Sequence, residues 1–222
     1  MSEQLEATPP RTGPEAPAPG RTGRTRNAER TKARILAAAL KDFSARGING
    51  ARVDAIAARA ASNKRMLYYY FGSKEGLFQE ILRRRLHERT AALHSAGGTA
   101  GSGAAVRQAM PERVTRVADD AEYTRLLLWE ALETDPEQPV NAAIRRDFFR
   151  TLTDVVRAEQ AAGRIPADFD AAQWVLSEVC LVLGPMLLPQ ITQLVTGLVP
   201  TDPEFVAARA DFLGRLEARL AN

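Results

Sequence analysis

From about residue 28 to the C-terminal end, apolar residues recur every three or four positions and nowhere alternate convincingly in twos. Ile35, Leu36, Ala39, Leu40 and Phe43 fall on one face of a helix. Similar stripes over about 104–120, 122–134, 139–163, 170–185, 187–197 and 203–220 each predict a helix. Pro111, Pro136, Pro139, Pro166, Pro185, Pro189, Pro200 and Pro203 mark many of the breaks or kinks, since proline removes a backbone donor and clashes with the preceding turn. With no strand pattern and no repeat of fixed period, the fold class is all-α. The 222 residues suffice for one large core or two smaller ones.

The N-terminal part is cut into shorter pieces. Residues 1–26 mix Pro9, Pro10, Pro14, Pro17 and Pro19 with Gly, Ala and Thr, and carry Arg11, Arg21, Arg24 and Arg26; they read as a disordered basic arm. Gly47 stops the first helix, as a glycine just past the last periodic residue does. A short second helix carries Val53, Ile56, Ala57 and Ala60, and a third covers about 64–71. Gly72 and Ser73 intervene, and Ser73 can cap a long fourth helix whose stripe is Leu77, Phe78, Ile81 and Leu82. The stretch GGTAGSG at 97–103 reads as a loop. The expected division is therefore a helical unit over 27–73, a connecting helix over 74–95 and a larger helical body over 96–222.

A net charge of +3 conceals an asymmetry. Residues 1–89 hold 18 Lys and Arg against 9 Asp and Glu, while 90–222 hold 12 against 18. All four lysines (Lys32, Lys41, Lys64 and Lys74) lie in the basic part. A basic head on an acidic body suggests that the head meets a polyanion, although chance clustering on a solvated face gives the same count.

Catalytic chemistry finds little support. The single cysteine, Cys180, precludes an internal disulfide and lies in the apolar run SEVCLVLG, where a buried inert thiol is expected. His87 and His94 are seven apart, too far for a metal pair at i, i+4. No phosphate-binding glycine loop, nucleophile elbow or HExxH is present, so no metal, cofactor or enzymatic activity is expected. The first 26 residues hold no apolar run, so no signal peptide is expected, and VCLVLGPMLL at 179–188 is short and broken by Pro185. A membrane helix needs about 20 apolar residues, so the expectation is a cytoplasmic protein without a membrane partner.

The most informative stretch is SNKRMLYYYFGSKEGL at 62–77, which holds three of the four tyrosines. On a helix, at about 100° per residue, Leu67 and Phe71 point inward together while Arg65 and Tyr69 point almost directly away. Met66 and Tyr68 flank the outward face, and Tyr70 lies nearer the core. Asn63 is a good N-cap and leaves the helix N-terminus open to an anion. Two short helices joined by a tight turn, the second bearing cations and phenols, make a helix-turn-helix, whose second helix fits the DNA major groove. Taken singly, the aromatics would be core and Lys64 and Arg65 solvated; the joint spacing favours double-stranded DNA.

Residues 28–82 resemble the N-terminal domain of the TetR family of transcriptional regulators. The pieces that carry the resemblance are ILAAALKDFSARG at 35–47, VDAIAARA at 53–60 and LYYYFGSKEGL at 67–77, where family members typically show L-Y-Y-H-F followed by x-S/N-K-E-x-L. The resemblance implies that Tyr68, Tyr69 and Tyr70 meet the DNA backbone or base edges and that Lys64 and Arg65 enter the groove. It further implies that Lys74 grips a phosphate and that Arg52 reaches another, with Asn63 and Met66 at the same surface. Ala51 and Arg52 replace the family's usual threonine. Ala61-Ser62-Asn63 replaces its Gly-Val-Ser, so Ala61 must adopt a backbone conformation that glycine takes more easily. Arg65 and Met66 replace its small residues beside the recognition lysine.

For the body, the resemblance implies a homodimer on a palindromic operator and a cavity for a small-molecule effector. The apolar 174–199 region and the helix with Phe205, Val206, Phe212, Leu213, Leu216 and Leu220 suit a dimer contact, and equally suit closure of the chain's own core. Candidate lining residues are Met110, Tyr123, Leu127, Trp129, Glu130, Phe148, Phe149, Leu152 and Trp174, aromatics with a few polar groups that suit an apolar ligand. The function expected is a ligand-responsive repressor, the alternative being an activator or a less specific DNA-binding protein.

Overall fold

The computed structural model describes residues 21–95 and 110–220. Ten helices make up most of that length: α1 (Arg21–Gly50), α2 (Val53–Arg59), α3 (Lys64–Phe71), α4 (Lys74–Ser95), α5 (Met110–Asp119), α6 (Ala121–Glu133), α7 (Ala142–Ala161), α8 (Ala171–Leu187), α9 (Pro189–Thr196) and α10 (Pro203–Leu220). No strand occurs among the described residues, and the fold is all-α. The arm up to residue 20, the GGTAGSG loop and residues 104–109 of the expected fifth helix lie outside the described residues. The first helix starts at Arg21 rather than near 28, so 21–26 are helical instead of disordered. Pro19 and Gly20 close the breaker-rich segment, and only Gly23 opposes a helix beyond them.

Gly47 interrupts α1 with a left-handed φ of 72°, so the straight helix ends there and 48–50 form a separate turn. The head's core gathers Ile35, Leu36, Ala39 and Phe43 of α1, Ile56 of α2, Leu67 of α3, and Leu77, Phe78 and Ile81 of α4. Phe43 and Phe78 meet edge to face at its centre. The same cluster includes Tyr123 and Leu126 of α6, so the head shares its core with that helix. Asp42 is buried beneath the turn, where its carboxylate accepts the Arg52 N–H at 3.2 Å and faces Arg59 at 3.6 Å and Arg46 at 3.9 Å.

In the body, Met110, Val114 and Val117 of α5 close with Val182 of α8 and Leu213 of α10, while Val156 of α7 closes with Ala171 and Val175 of α8. Phe205 and Leu213 are buried in the chain's own core, whereas Phe212 is exposed. Cys180 is exposed, not buried as its apolar neighbours suggested. The run 179–188 turns only part of its surface inward, and Cys180 falls on the outward part with Leu188. No single described helix is long and apolar enough to cross a membrane; α8 and α9 are apolar enough together but bend by 84° at their break.

Candidate functional site

The outward face of the head is built by α3. Its eight residues are too few to hold a helix by propensity, so tertiary contacts and caps fix it. Leu67 is fully buried and anchors the inner face. At the start, the Asn63 side chain accepts the Met66 N–H at 2.8 Å. At the end, Gly72 takes φ 74° and the Ser73 hydroxyl accepts the Gly76 N–H at 2.9 Å, capping α4. Gly76 sits so close to the end of α3 that a Cβ there would overlap the Phe71 carbonyl oxygen. A self-directed backbone bond and the Ser73 hydroxyl together hold the Glu75 carboxyl below its usual range.

Tyr69 is 77% exposed and Tyr68 40%. Arg65 is exposed, and its guanidinium has no partner among the described residues. Met66 is half-buried beside them. Tyr70 leans toward the core cluster, with the Lys32 ammonium 5.5 Å from its ring centre, so it meets α1 as well as the outer surface. Lys64 pairs with Asp54 at 3.3 Å across α2 and α3. Both partners of that pair are exposed, so it is worth at most about 1 kcal/mol and is readily exchanged for a phosphate. Arg52 is exposed at the head of α2, and Lys74 is half-buried at the head of α4, where its cation adjoins the helix start. Ala61 has φ 46°, the left-handed conformation expected of its position in the turn. Arg52, Lys64, Arg65, Tyr68 and Tyr69 are thus exposed along α2 and α3, with Lys74 half-buried at the start of α4.

Behind the head, α6 is clasped to the end of α1. The Glu133 carboxylate accepts the Ile48 N–H at 2.6 Å and the Asn49 N–H at 3.1 Å. The Trp129 indole donates to the Ser44 carbonyl at 3.2 Å. Any side chain at Gly47 would collide with both Glu133 and Trp129.

A cavity of about 150 Å³ lies between α4, α5, α6, α7 and α8. Tyr123, Leu127, Phe148, Phe149 and Leu152 line it, alongside Leu86, Val117, Val179, Val182 and Leu183. Phe148 and Phe149 meet edge to face, with ring centres 5.3 Å apart. Burial pushes the Tyr123 phenol above its ordinary value, partly opposed by Arg89 and Arg145. The Arg89 guanidinium lies 4.3 Å from the Tyr123 ring centre.

Four other candidate lining residues lie elsewhere. Met110 is buried among α5, α8 and α10, where its N–H meets Glu217 at 3.3 Å. Trp129 is taken up by the clasp. Glu130 is buried and engaged twice, by Arg145 at 2.6 Å and by the Val140 N–H at 3.1 Å, since a buried carboxylate must be paired. Trp174 lies tilted against Phe169 and donates to Glu178 at 2.9 Å. Four arginines of the cavity wall, Arg89, Arg113, Arg116 and Arg145, are not among the expected lining residues. Their signal was present: Arg145, Phe148, Phe149 and Leu152 follow an i, i+3, i+4, i+7 stripe, as do Arg113, Arg116 and Val117 in part. Among the described residues no cluster of His, Cys, Asp and Glu could hold a metal ion.

Residues 35–81 match the family described as bacterial regulatory proteins, tetR family. The chain is 30% identical over 172 residues to the HTH-type transcriptional repressor SCO4008 of Streptomyces coelicolor, covering 78% of this chain and 86% of that one. It is 52% identical over 59 residues to the HTH-type transcriptional repressor NicS of Pseudomonas putida, covering 27% of this chain and 28% of that one. Among solved structures, the putative transcriptional regulator SCO4942 of Streptomyces coelicolor superposes with a TM-score of 0.66 at 25% identity, over 85% of this chain and 97% of that one. FadR of Bacillus subtilis, solved with stearoyl-CoA, shares the fold with a TM-score of 0.66 at 14% identity, over 83% of this chain and 96% of that one.

Proposed function

We propose, from the premise that this chain belongs to the TetR family of bacterial regulatory proteins and is a DNA-binding transcription regulator, that it is a cytoplasmic, ligand-responsive repressor acting as a homodimer on a palindromic operator. The observation that carries the DNA-reading assignment is α3 itself. A helix with a buried Leu67 and an Asn63 cap holds out a largely exposed Tyr69 and an Arg65 that has no partner among the described residues. Arg65 and Tyr69 would read base edges or sugar-phosphate, with Tyr68, Met66 and Asn63 beside them. Lys64, Arg52 and Lys74 would hold phosphates, and Tyr70 would brace the helix against α1. The similar SCO4008 is a transcriptional repressor by name, which supports the repressor reading.

The homodimer reading rests on an apolar face. Leu176, Leu188, Ile191, Leu194, Val195, Val199 and Phe212 are all exposed on or between α8, α9 and α10, and Leu194 is 86% exposed. Large apolar side chains left exposed in this number suit an interaction surface. Twofold pairing there would set two copies of α3 into successive major grooves, about 34–36 Å apart.

Ligand response rests on the cavity beneath α4, which Leu86 and Arg89 close from the head side. A ligand that binds one position of α4 better than another shifts DNA affinity by that difference and no more. The test is selection of genomic fragments by the purified full chain, followed by footprinting. The expected result is a protected inverted repeat, bound roughly a thousandfold or more tighter than random DNA at physiological salt. Equal retention of all fragments would overturn the specific-regulator reading.

A further inference from the structure

We infer that the cavity takes a small organic anion, a carboxylate on an apolar body of about one ring or a short chain. This rests on the proposed reading of the cavity as an effector site and names the class of effector. Among the described residues, fourteen line the cavity; four are arginines and none is acidic. The arginines come from three helices, Arg89 from α4, Arg113 and Arg116 from α5, and Arg145 from α7.

Their counter-charges lie outside the lining and do not go round. Arg113 is paired with Glu178 at 2.6 Å and Arg145 with Glu130 at 2.6 Å. Asp120 is shared, 3.6 Å from Arg85 and 3.7 Å from Arg89. At that distance Arg89 keeps a buried Nη2 with no hydrogen bond. Arg116 is half-buried, and its guanidinium has no partner among the described residues. The Tyr123 hydroxyl makes no hydrogen bond to any described residue either, although the residue is buried on the cavity wall.

Donors left without acceptors beside an apolar wall are costly, and a bound carboxylate would satisfy them. Arginine is the side chain suited to this, because its planar fork matches the two oxygens of a carboxylate. The rest of the wall is Leu86, Phe148, Phe149, Leu152 and Val182, which suits a hydrocarbon body. A cavity of about 150 Å³ holds a body of roughly benzene size. A cationic ligand would meet four guanidiniums with no carboxylate in the described lining, and a neutral one would offer Arg89 and Arg116 only weaker, uncharged acceptors.

The test uses the full chain and a panel of benzoate, phenylacetate, 3-phenylpropionate and octanoate, each with its amide and its amine. Binding is read by calorimetry, and release of the selected operator fragment by fluorescence anisotropy. At least one carboxylate is expected to bind, with its amide and amine about tenfold or more weaker. Arg116→Gln should cost a similar factor and Arg116→Lys less, with thermal melting confirming that both variants fold. Amides or amines that bind as tightly as the acids would overturn the anion inference and leave ligand response standing. A carboxylate that binds in an Arg116-dependent way without releasing DNA would uphold the anion site and remove ligand response. Failure of every carboxylate to bind would overturn the inference outright.

Discussion

The carboxylate of Glu133, at the end of α6, accepts the backbone N–H of Ile48 at 2.6 Å, 85 residues earlier in the chain. Together with the Asn49 N–H and the Trp129–Ser44 bond, it makes α6 a structural part of the head. Glu133→Ala leaves two N–H groups without their acceptor, one of them on the buried Ile48. The expected loss is about 1–3 kcal/mol of unfolding free energy, read by urea titration. Glu133→Gln, which keeps an acceptor, should lose less.

Gly76 has no room for a side chain against the Phe71 carbonyl. Gly76→Ala should destabilise by about 1–3 kcal/mol through overpacking. Because the strain falls between α3 and α4, operator affinity should drop even at temperatures where circular dichroism shows the variant folded.

Tyr69 and Lys74 separate specific from general DNA contacts. Tyr69→Ala should change stability by no more than about 0.5 kcal/mol, since the ring is mostly in solvent. Operator affinity should fall by about tenfold, with little change for random DNA. Lys74→Ala should weaken binding to all sequences alike and reduce the salt slope by about one. Anisotropy titrations at several salt concentrations distinguish the two.

Leu194→Glu places a charge on the most exposed apolar residue of α9. If the native chain sediments as the proposed dimer, the variant should sediment as a monomer and operator affinity should collapse, while the variant melts as a folded helical protein.

Tyr123 gives a pH dependence. Its folded-state value lies above the ordinary 10.0 because burial disfavours the phenolate. The unfolded chain therefore ionises first as pH rises. The contribution is fully present below pH 10.0 and is lost as pH climbs from there through the folded value. Tyr123→Phe should flatten that alkaline loss in urea titrations while leaving the acid side unchanged.

Most of the helical architecture was legible from short-range pattern. The 3.6-residue stripes located the helices and the Gly and Pro positions most of their ends. The inward Leu67 and outward Tyr69 of α3 follow from a 100° rotation alone, and Ala61 shows the backbone expected for the turn. What was not legible depends on partners far along the chain. Trp129 and Glu130 have the residue types of a ligand site, but Ser44 and Arg145 engage them, and no local pattern announces either pairing. Gly47 read correctly as a helix stop, while its second duty, leaving space for Glu133, needed α6 in place. Cys180 sits in a run whose apolar character belongs partly to an exposed face, so hydropathy alone misplaced it. The cavity arginines share apolar stripes with Phe148, Phe149 and Val117, but which of them lack a counter-ion depends on contacts made by other helices.

The tight junction at Gly76 has a mechanical consequence. A helix of 22 residues is about 33 Å long. With no slack at its N-terminal joint, tilting α4 by about 5° about its far end would carry α3 through about 3 Å, nearly one base-pair step along a duplex. The lever thus amplifies: a displacement too small to be noticed among side chains around the hollow becomes, at the reading tip, a misfit on the scale of the lattice being read.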